Sequence, residues 1–216
     1  MNPKKNLLLP VLAIAVLAAS TVLTLAQTEV LTFDNLPAPL SNGNSLVPNG
    51  YGGLQWQNFG YLNVGNFTAS PAGYNNANVS GTNVAFNANS GSAQISGTVF
   101  NLNSAYLTGA WRDGLQVEVE GFVGTTLTYD NTYTVNTSGP DLINFNYLGV
   151  DQVIFNSSGG TLDPAYHDPV LHALTEEFAM DNLSITMPAP EPSTIALLGL
   201  AGLLLAFRYR PRRCRS

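Results

Sequence analysis

Residues 115–122 read LQVEVEGF. Leu115, Val117 and Val119 alternate with Gln116, Glu118 and Glu120, the two-residue period of a strand with one face in a core and the other in water. A helix would space its apolar groups three and four apart. The same alternation recurs outward in both directions: TNVAFN (82–87), AQISGTVF (93–100), SAYLTGAW (104–111), TTLTYDNTYTV (125–135), DLINFNY (141–147), DQVIFN (151–156) and FAMDNLSIT (178–186). Glycine, asparagine, serine and proline clusters such as VPNGYGG, NANSGS, RDG and NTSGP punctuate them, as turns require. About nine or ten short strands in one block predict an all-β domain, an antiparallel β-sandwich of jelly-roll-like form. No fixed period repeats, which argues against a solenoid. The one long connection, residues 156–177, reads as an insertion between two strands.

Charge divides the 216-residue chain sharply. Residues 27–187 hold 13 acidic side chains and a single base, Arg112, whereas five arginines crowd the last nine positions. A domain so acidic cannot hold nucleic acid through phosphate contacts, which need lysine and arginine. The only cysteine, Cys214, lies in the terminal tail, so the domain is expected to fold without a disulfide.

Both ends read as processing segments. Lys4 and Lys5 precede an apolar run from Leu7 to Ala19, and Ala26 offers a small-residue cleavage site. Residues 1–26 therefore read as a secretory signal peptide. At the other end PAPEP (188–192) is extended, because proline cannot continue a helix. Residues 195–207 are apolar or small, about 20 Å of helix and short of a ~30 Å hydrocarbon core. Starting the helix at residue 193 and letting Arg208 and Arg210 snorkel makes a span. The arginines keep that end in the cytoplasm and place the acidic domain outside. A plain C-terminal membrane anchor shares these features.

Pro190, Glu191, Pro192, the Leu/Gly/Ala-rich helix at 193–207 and the arginine tail together resemble the PEP-CTERM sorting signal, over residues 188–216. The same tail is also labelled an ice-binding protein C-terminal domain, a label that describes the tail only. The resemblance implies export across the inner membrane of a Gram-negative bacterium, removal of the tail by an exosortase, and residence in the envelope or an extracellular polysaccharide matrix.

Within the domain (27–187), VLTFDNLP (30–37) and FAMDNLSIT (178–186) share an apolar–Asp–Asn–Leu pattern. This pairing resembles carbohydrate-binding jelly rolls, whose terminal strands commonly hold a structural calcium; Asp34 and Asp181 are the residues it would use. Oxygen ligands suit Ca²⁺. The alternative is that each aspartate accepts backbone N–H groups at a turn. Aromatic and polar residues cluster at Tyr51, and at Trp111, Arg112 and Asp113 beside a turn, a mixture that suits sugar rings and hydroxyls. Trp56 alternates with Leu54 and reads as core. His167 and His172, with nearby acids, lack the spacing of a zinc motif and read as a solvated loop. No Gly-x-Ser-x-Gly, phosphate loop or domain cysteine offers catalytic machinery. The expectation is a non-catalytic polysaccharide-binding module. Its rivals are a glycoside-active enzyme on the same scaffold, which needs two carboxylates in a cleft, and a structural matrix protein that self-associates.

Overall fold

The computed structural model describes residues 26–40, 43–67, 72–166 and 175–188. The apolar leader, the segment 193–207 expected to form a helix, the sorting residues Pro190, Glu191 and Pro192, and both histidines lie outside the described residues. Ten strands follow in chain order: β1 (Gln27–Leu31), β2 (Asn44–Leu46), β3 (Gln55–Gln57), β4 (Phe59–Asn63), β5 (Asn83–Asn87), β6 (Ala93–Gly109), β7 (Arg112–Val123), β8 (Thr126–Val135), β9 (Asp141–Leu162) and β10 (Phe178–Met187). Every pairing is antiparallel, in the order β2-β4-β5-β10-β6-β9-β7-β8, with β1 on β10 and β3 on β6. The last strand thus inserts between β5 and β6, and the first lies beside it. This is the antiparallel β-sandwich that the alternation predicts.

The strands are fewer and longer than their sequence segments suggest. AQISGTVF and SAYLTGAW merge into β6, whose ladder with β9 shifts register between Ser96 and Phe100, Phe100 and Leu102, and Leu102 and Ser104. Such bulges bend a strand and interrupt its alternation, so one strand reads as two. The first part of β6 pairs with β3 and the second with β10, while β9 follows both. The bent pair carries one continuous network over a shared core. Phe59, Phe155 and Phe178, from β4, β9 and β10, meet there at ring-centre distances of 5.6–6.3 Å.

The expected loop at 156–177 is corrected over its first third. Residues 156–162 continue β9 and pair with β7, from Glu118↔Asn156 to Arg112↔Leu162. NSSGG looks like a turn, yet ladder hydrogen bonds need no particular side chain. Gly159 and Gly160, at φ of 74° and 68°, take the left-handed bend that other residues resist.

In β7, Leu115, Val117 and Val119 are fully buried. Across the ladder, Asn156 donates to Glu118 Oε2 (3.2 Å) and Glu120 Oε2 (3.3 Å) on the other face. Strand β5 behaves differently, being buried at all five positions. Ala85 joins the main core, whereas Val84 and Phe86 point to a second, smaller cluster with Leu62, Tyr74, Trp111 and Ala179. Alternation therefore feeds two cores, one on each side of this part of the sheet. The cover on the outer side comes from the turn at Gly73–Asn76, whose Gly73 N–H donates to the Ala110 carbonyl at 2.7 Å.

Candidate functional site

An open groove of about 330 Å³ lies on this outer side, between the second core and β2. Tyr74, Phe86 and Trp111 form its floor, and Leu46, Asn44, Asn89 and Glu177 stand around it. The floor is locked edge to face: Tyr74 meets Trp111 at 5.7 Å and 90°, and Phe86 at 5.8 Å and 74°. Glu177 anchors the wall. Its carbonyl accepts Ala110 N–H at 2.9 Å, and its Oε2 accepts the Tyr74 hydroxyl at 2.9 Å and Trp111 Nε1–H at 3.0 Å. Burial, and then the Glu177 charge, push the Tyr74 phenol well above its ordinary range, so it remains a donor at any physiological pH. At the mouth Leu46 is 71 % exposed, and the amide side chains of Asn44 and Asn89 are exposed as well. The groove therefore joins an apolar aromatic floor to amide and carboxylate hydrogen-bonding groups, with no lysine or arginine among its lining residues.

Of the four sequence-derived ligand candidates, only Trp111 lines this groove. Trp111 is buried rather than presented, at 6 % exposure: Tyr74 packs against it edge to face and Glu177 takes its N–H. Arg112 donates from Nε to the Thr175 carbonyl (3.1 Å) and from Nη1 to the Gly160 carbonyl (3.0 Å), tying β9 to the segment before β10. Asp113 Oδ1 accepts the Thr137 N–H at 2.9 Å and so holds a turn. Tyr51 belongs to the other core, packed against Phe33 and Trp56, with its hydroxyl accepting from Phe33 N–H and donating to Asn35 Oδ1, both at 2.9 Å. Trp56 is core, as its alternation with Leu54 implies. Tyr74, Phe86, Asn44, Asn89 and Glu177 carry no local signal that joins them; Tyr74 and Glu177 are 103 positions apart.

Asp34 and Asp181 do converge, on one turn. Asp181 Oδ2 accepts the N–H groups of Val79 (2.7 Å) and Ser80 (2.9 Å), and its Oδ1 that of Asn182 (2.7 Å). Asp34 Oδ1 accepts those of Thr82 (2.7 Å) and Asn83 (3.0 Å). The two carboxylates thus hold successive halves of residues 79–83. Burial raises the Asp181 carboxyl above its ordinary value; its three N–H partners pull the other way, and Asp34 adds to the rise. These accepting oxygens face amide hydrogens, which leaves them poorly placed for a cation. Among the described residues no cluster of three or more acidic, histidine or cysteine side chains is arranged to hold a metal. The groups present match the turn-anchoring alternative better than a calcium clip.

The described chain is thus an antiparallel β-sandwich with a second aromatic core and a groove on its outer side. Residues 188–213 match the PEP-CTERM protein-sorting motif, so the chain carries the signal for export and exosortase-mediated sorting to the envelope or extracellular space. No curated protein matches the chain. Among solved structures it is similar to a DUF4465 family protein from Bacteroides ovatus, at 10 % identity and TM-score 0.46, covering 75 % of this chain and 99 % of that one. It is also similar to TmCBM61 in complex with β-1,4-galactotriose, at 8 % identity and TM-score 0.34, covering 70 % and 99 %. Both scores are low, and the fold assignment rests on the strand pairing and core contacts.

Proposed function

We propose that the domain is a non-catalytic glycan-binding module of an exported envelope or matrix protein, and that the groove over Trp111 is its ligand site. The observation that carries this reading is the groove's lining: aromatic and aliphatic carbon below, amide and carboxylate groups at the sides. Sugars present both a carbon–hydrogen face and a ring of hydroxyls, and such a lining complements both. The volume sits at the small end of ligand pockets, which span about 300–1,000 Å³, and so suits a short stretch of glycan. Glu177 without a neighbouring base in the lining favours neutral over acidic sugars. Among the described lining residues it is also the one carboxylate, whereas glycoside hydrolysis takes a pair held about 5–10 Å apart. That supports binding over cleavage. For delivery, the apolar segment 193–207 holds the chain in the inner membrane of a Gram-negative cell until an exosortase cuts near residues 190–193.

Affinity electrophoresis or titration calorimetry against neutral and acidic polysaccharides tests the reading. Retention by a neutral glycan is expected. Asn44→Ala and Asn89→Gly, the latter keeping the φ of 54° at that position, should each weaken it roughly tenfold by removing a hydrogen bond, with unchanged melting temperature. A response that is flat across all glycans, or insensitive to both variants, rejects the groove as the site.

Calcium is tested separately. The melting temperature should be equal in millimolar Ca²⁺ and in EGTA, given where the Asp34 and Asp181 oxygens point. A calcium-dependent rise of several degrees restores the clip as the better account.

A further inference from the structure

We infer that β8 is a self-association edge, and that two copies of this chain pair antiparallel through it about a two-fold axis at Asn131. Strand β8 ends the strand order and, among the described residues, pairs with β7 alone. Its other edge presents unpaired backbone groups, and such edges are normally blunted by lysine, proline or short length. Here the strand runs ten residues, TLTYDNTYTV, with no Lys, Arg or Pro and one charge, Asp130. A bulge at Thr128, where the β7 ladder steps from Gly121↔Tyr129 to Phe122↔Leu127, leaves Tyr129–Val135 regular.

The sequence of this edge fits itself. Strands related by a two-fold axis normal to the sheet oppose residues of the same face, so the axis must fall on a residue. Placed at Asn131, it sets Tyr129 against the partner's Tyr133, Asp130 against the partner's Thr132, and Asn131 against its own copy. The bulge at Thr128 ends this regular pairing on either side, because it turns Leu127 to the face opposite that of Val135. The run is close to a palindrome about that point. Aromatic–aromatic cross-strand pairs are favourable, and no like charges meet. An axis one residue earlier would oppose Asp130 to itself.

The faces are consistent with this register. Tyr129, Asn131 and Tyr133 share the core side with Gly121, Val119 and Val117. There Tyr129 stacks on Tyr147 at 4.4 Å and Tyr133 meets Phe145 at 5.4 Å. Pairing through β8 would extend this aromatic strip across the axis. Asp130 and Thr132 lie on the solvent side beside Glu120 and Glu118. An isologous contact of this kind closes on itself as a dimer.

The experiment uses the chain purified in the form its host exports, in sedimentation equilibrium. The wild type should form a dimer. Thr132→Glu, which sets a carboxylate against Asp130 twice across the axis, should weaken it roughly tenfold or more; Thr132→Lys should strengthen it. In a Cys214→Ser background, Asn131→Cys should give a covalent dimer on oxidation, because residues on the axis meet within disulfide reach. A wild type that stays monomeric at all concentrations overturns the proposal. So does an equal response to both Thr132 variants, or a dimer that Asn131→Cys fails to cross-link. Glycan retention by the wild type and by Thr132→Glu, measured alongside, reports on the groove independently.

Discussion

Gly73→Ala is expected to lower the melting temperature by roughly 4–16 °C and to dismantle the groove floor. A β-carbon on residue 73 would sit 2.0 Å from the Gly109 carbonyl oxygen and 3.0 Å from that of Ala110. Both obstacles are backbone. Gly109 cannot retreat cheaply, because its N–H donates to the Asn136 carbonyl (2.9 Å) and it pairs with Phe178 in the β10 ladder. The turn must lift instead, breaking the 2.7 Å bond from Gly73 N–H to Ala110. Overpacking of this kind costs about 1–3 kcal/mol and the lost bond about 1 kcal/mol more, and a domain of this size loses about 2–4 °C per kcal/mol. Lifting the turn also separates Tyr74 from Trp111, so the near-ultraviolet tryptophan signal should fall and its emission shift to the red. A variant that melts within a degree or two of wild type, with its tryptophan spectrum intact, would show that the contact between this turn and β6 is not what seats the groove.

The contrast between β7 and β5 shows what can be read from sequence and what cannot. Leu115, Val117 and Val119 announce their strand because their neighbours face water, and alternation becomes a visible contrast in polarity. In β5 both faces are covered, so Val84, Ala85 and Phe86 present an unbroken run from which no second core can be inferred. The bends in β6 and β9 hide continuity for a related reason: each bulge shifts the phase of alternation. The groove is illegible in the sequence because its floor is assembled from the turn at Gly73–Asn76, β5 and the β6–β7 connection, and its wall from the residue before β10, elements far apart in sequence. Of the lining only Trp111 carries a local signal, its place beside a turn, and that signal gives no hint that Tyr74 and Glu177 pack against it. The matched Asp–Asn–Leu segments do belong to neighbouring parts of the fold, since β1 and β10 lie side by side with Leu31 opposite Leu183. What those aspartates bind is a property of the 79–83 turn, which contains no acidic residue and left no mark in either segment.

That turn gives Asp181 its second role, as a buried acceptor whose loss should be costly. The carboxylate is fully buried and receives three N–H groups on two oxygens. Asp181→Asn keeps the volume but offers one oxygen, and turns an amide NH₂ towards donors that have nowhere else to go. Leaving such groups unsatisfied costs about 1–3 kcal/mol, so a fall of roughly 2–12 °C in melting temperature is expected. The pH dependence then tests the cause. Because burial outweighs the N–H bonds, the native carboxyl titrates above its ordinary 3.8, and the folded chain binds that proton more tightly than the unfolded chain does. Its contribution therefore grows as pH falls through the native value, is complete below the ordinary one, and is lost as pH rises again. The asparagine variant has no such proton. The gap between wild type and Asp181→Asn should widen as the pH falls from 7 towards the ordinary value of 3.8, the reverse of what a carboxylate held in an ion pair would show. A gap that narrows on acidification would mean that the N–H groups of Val79, Ser80 and Asn182 outweigh burial, and that Asp181 is held in the turn as a stabilised anion.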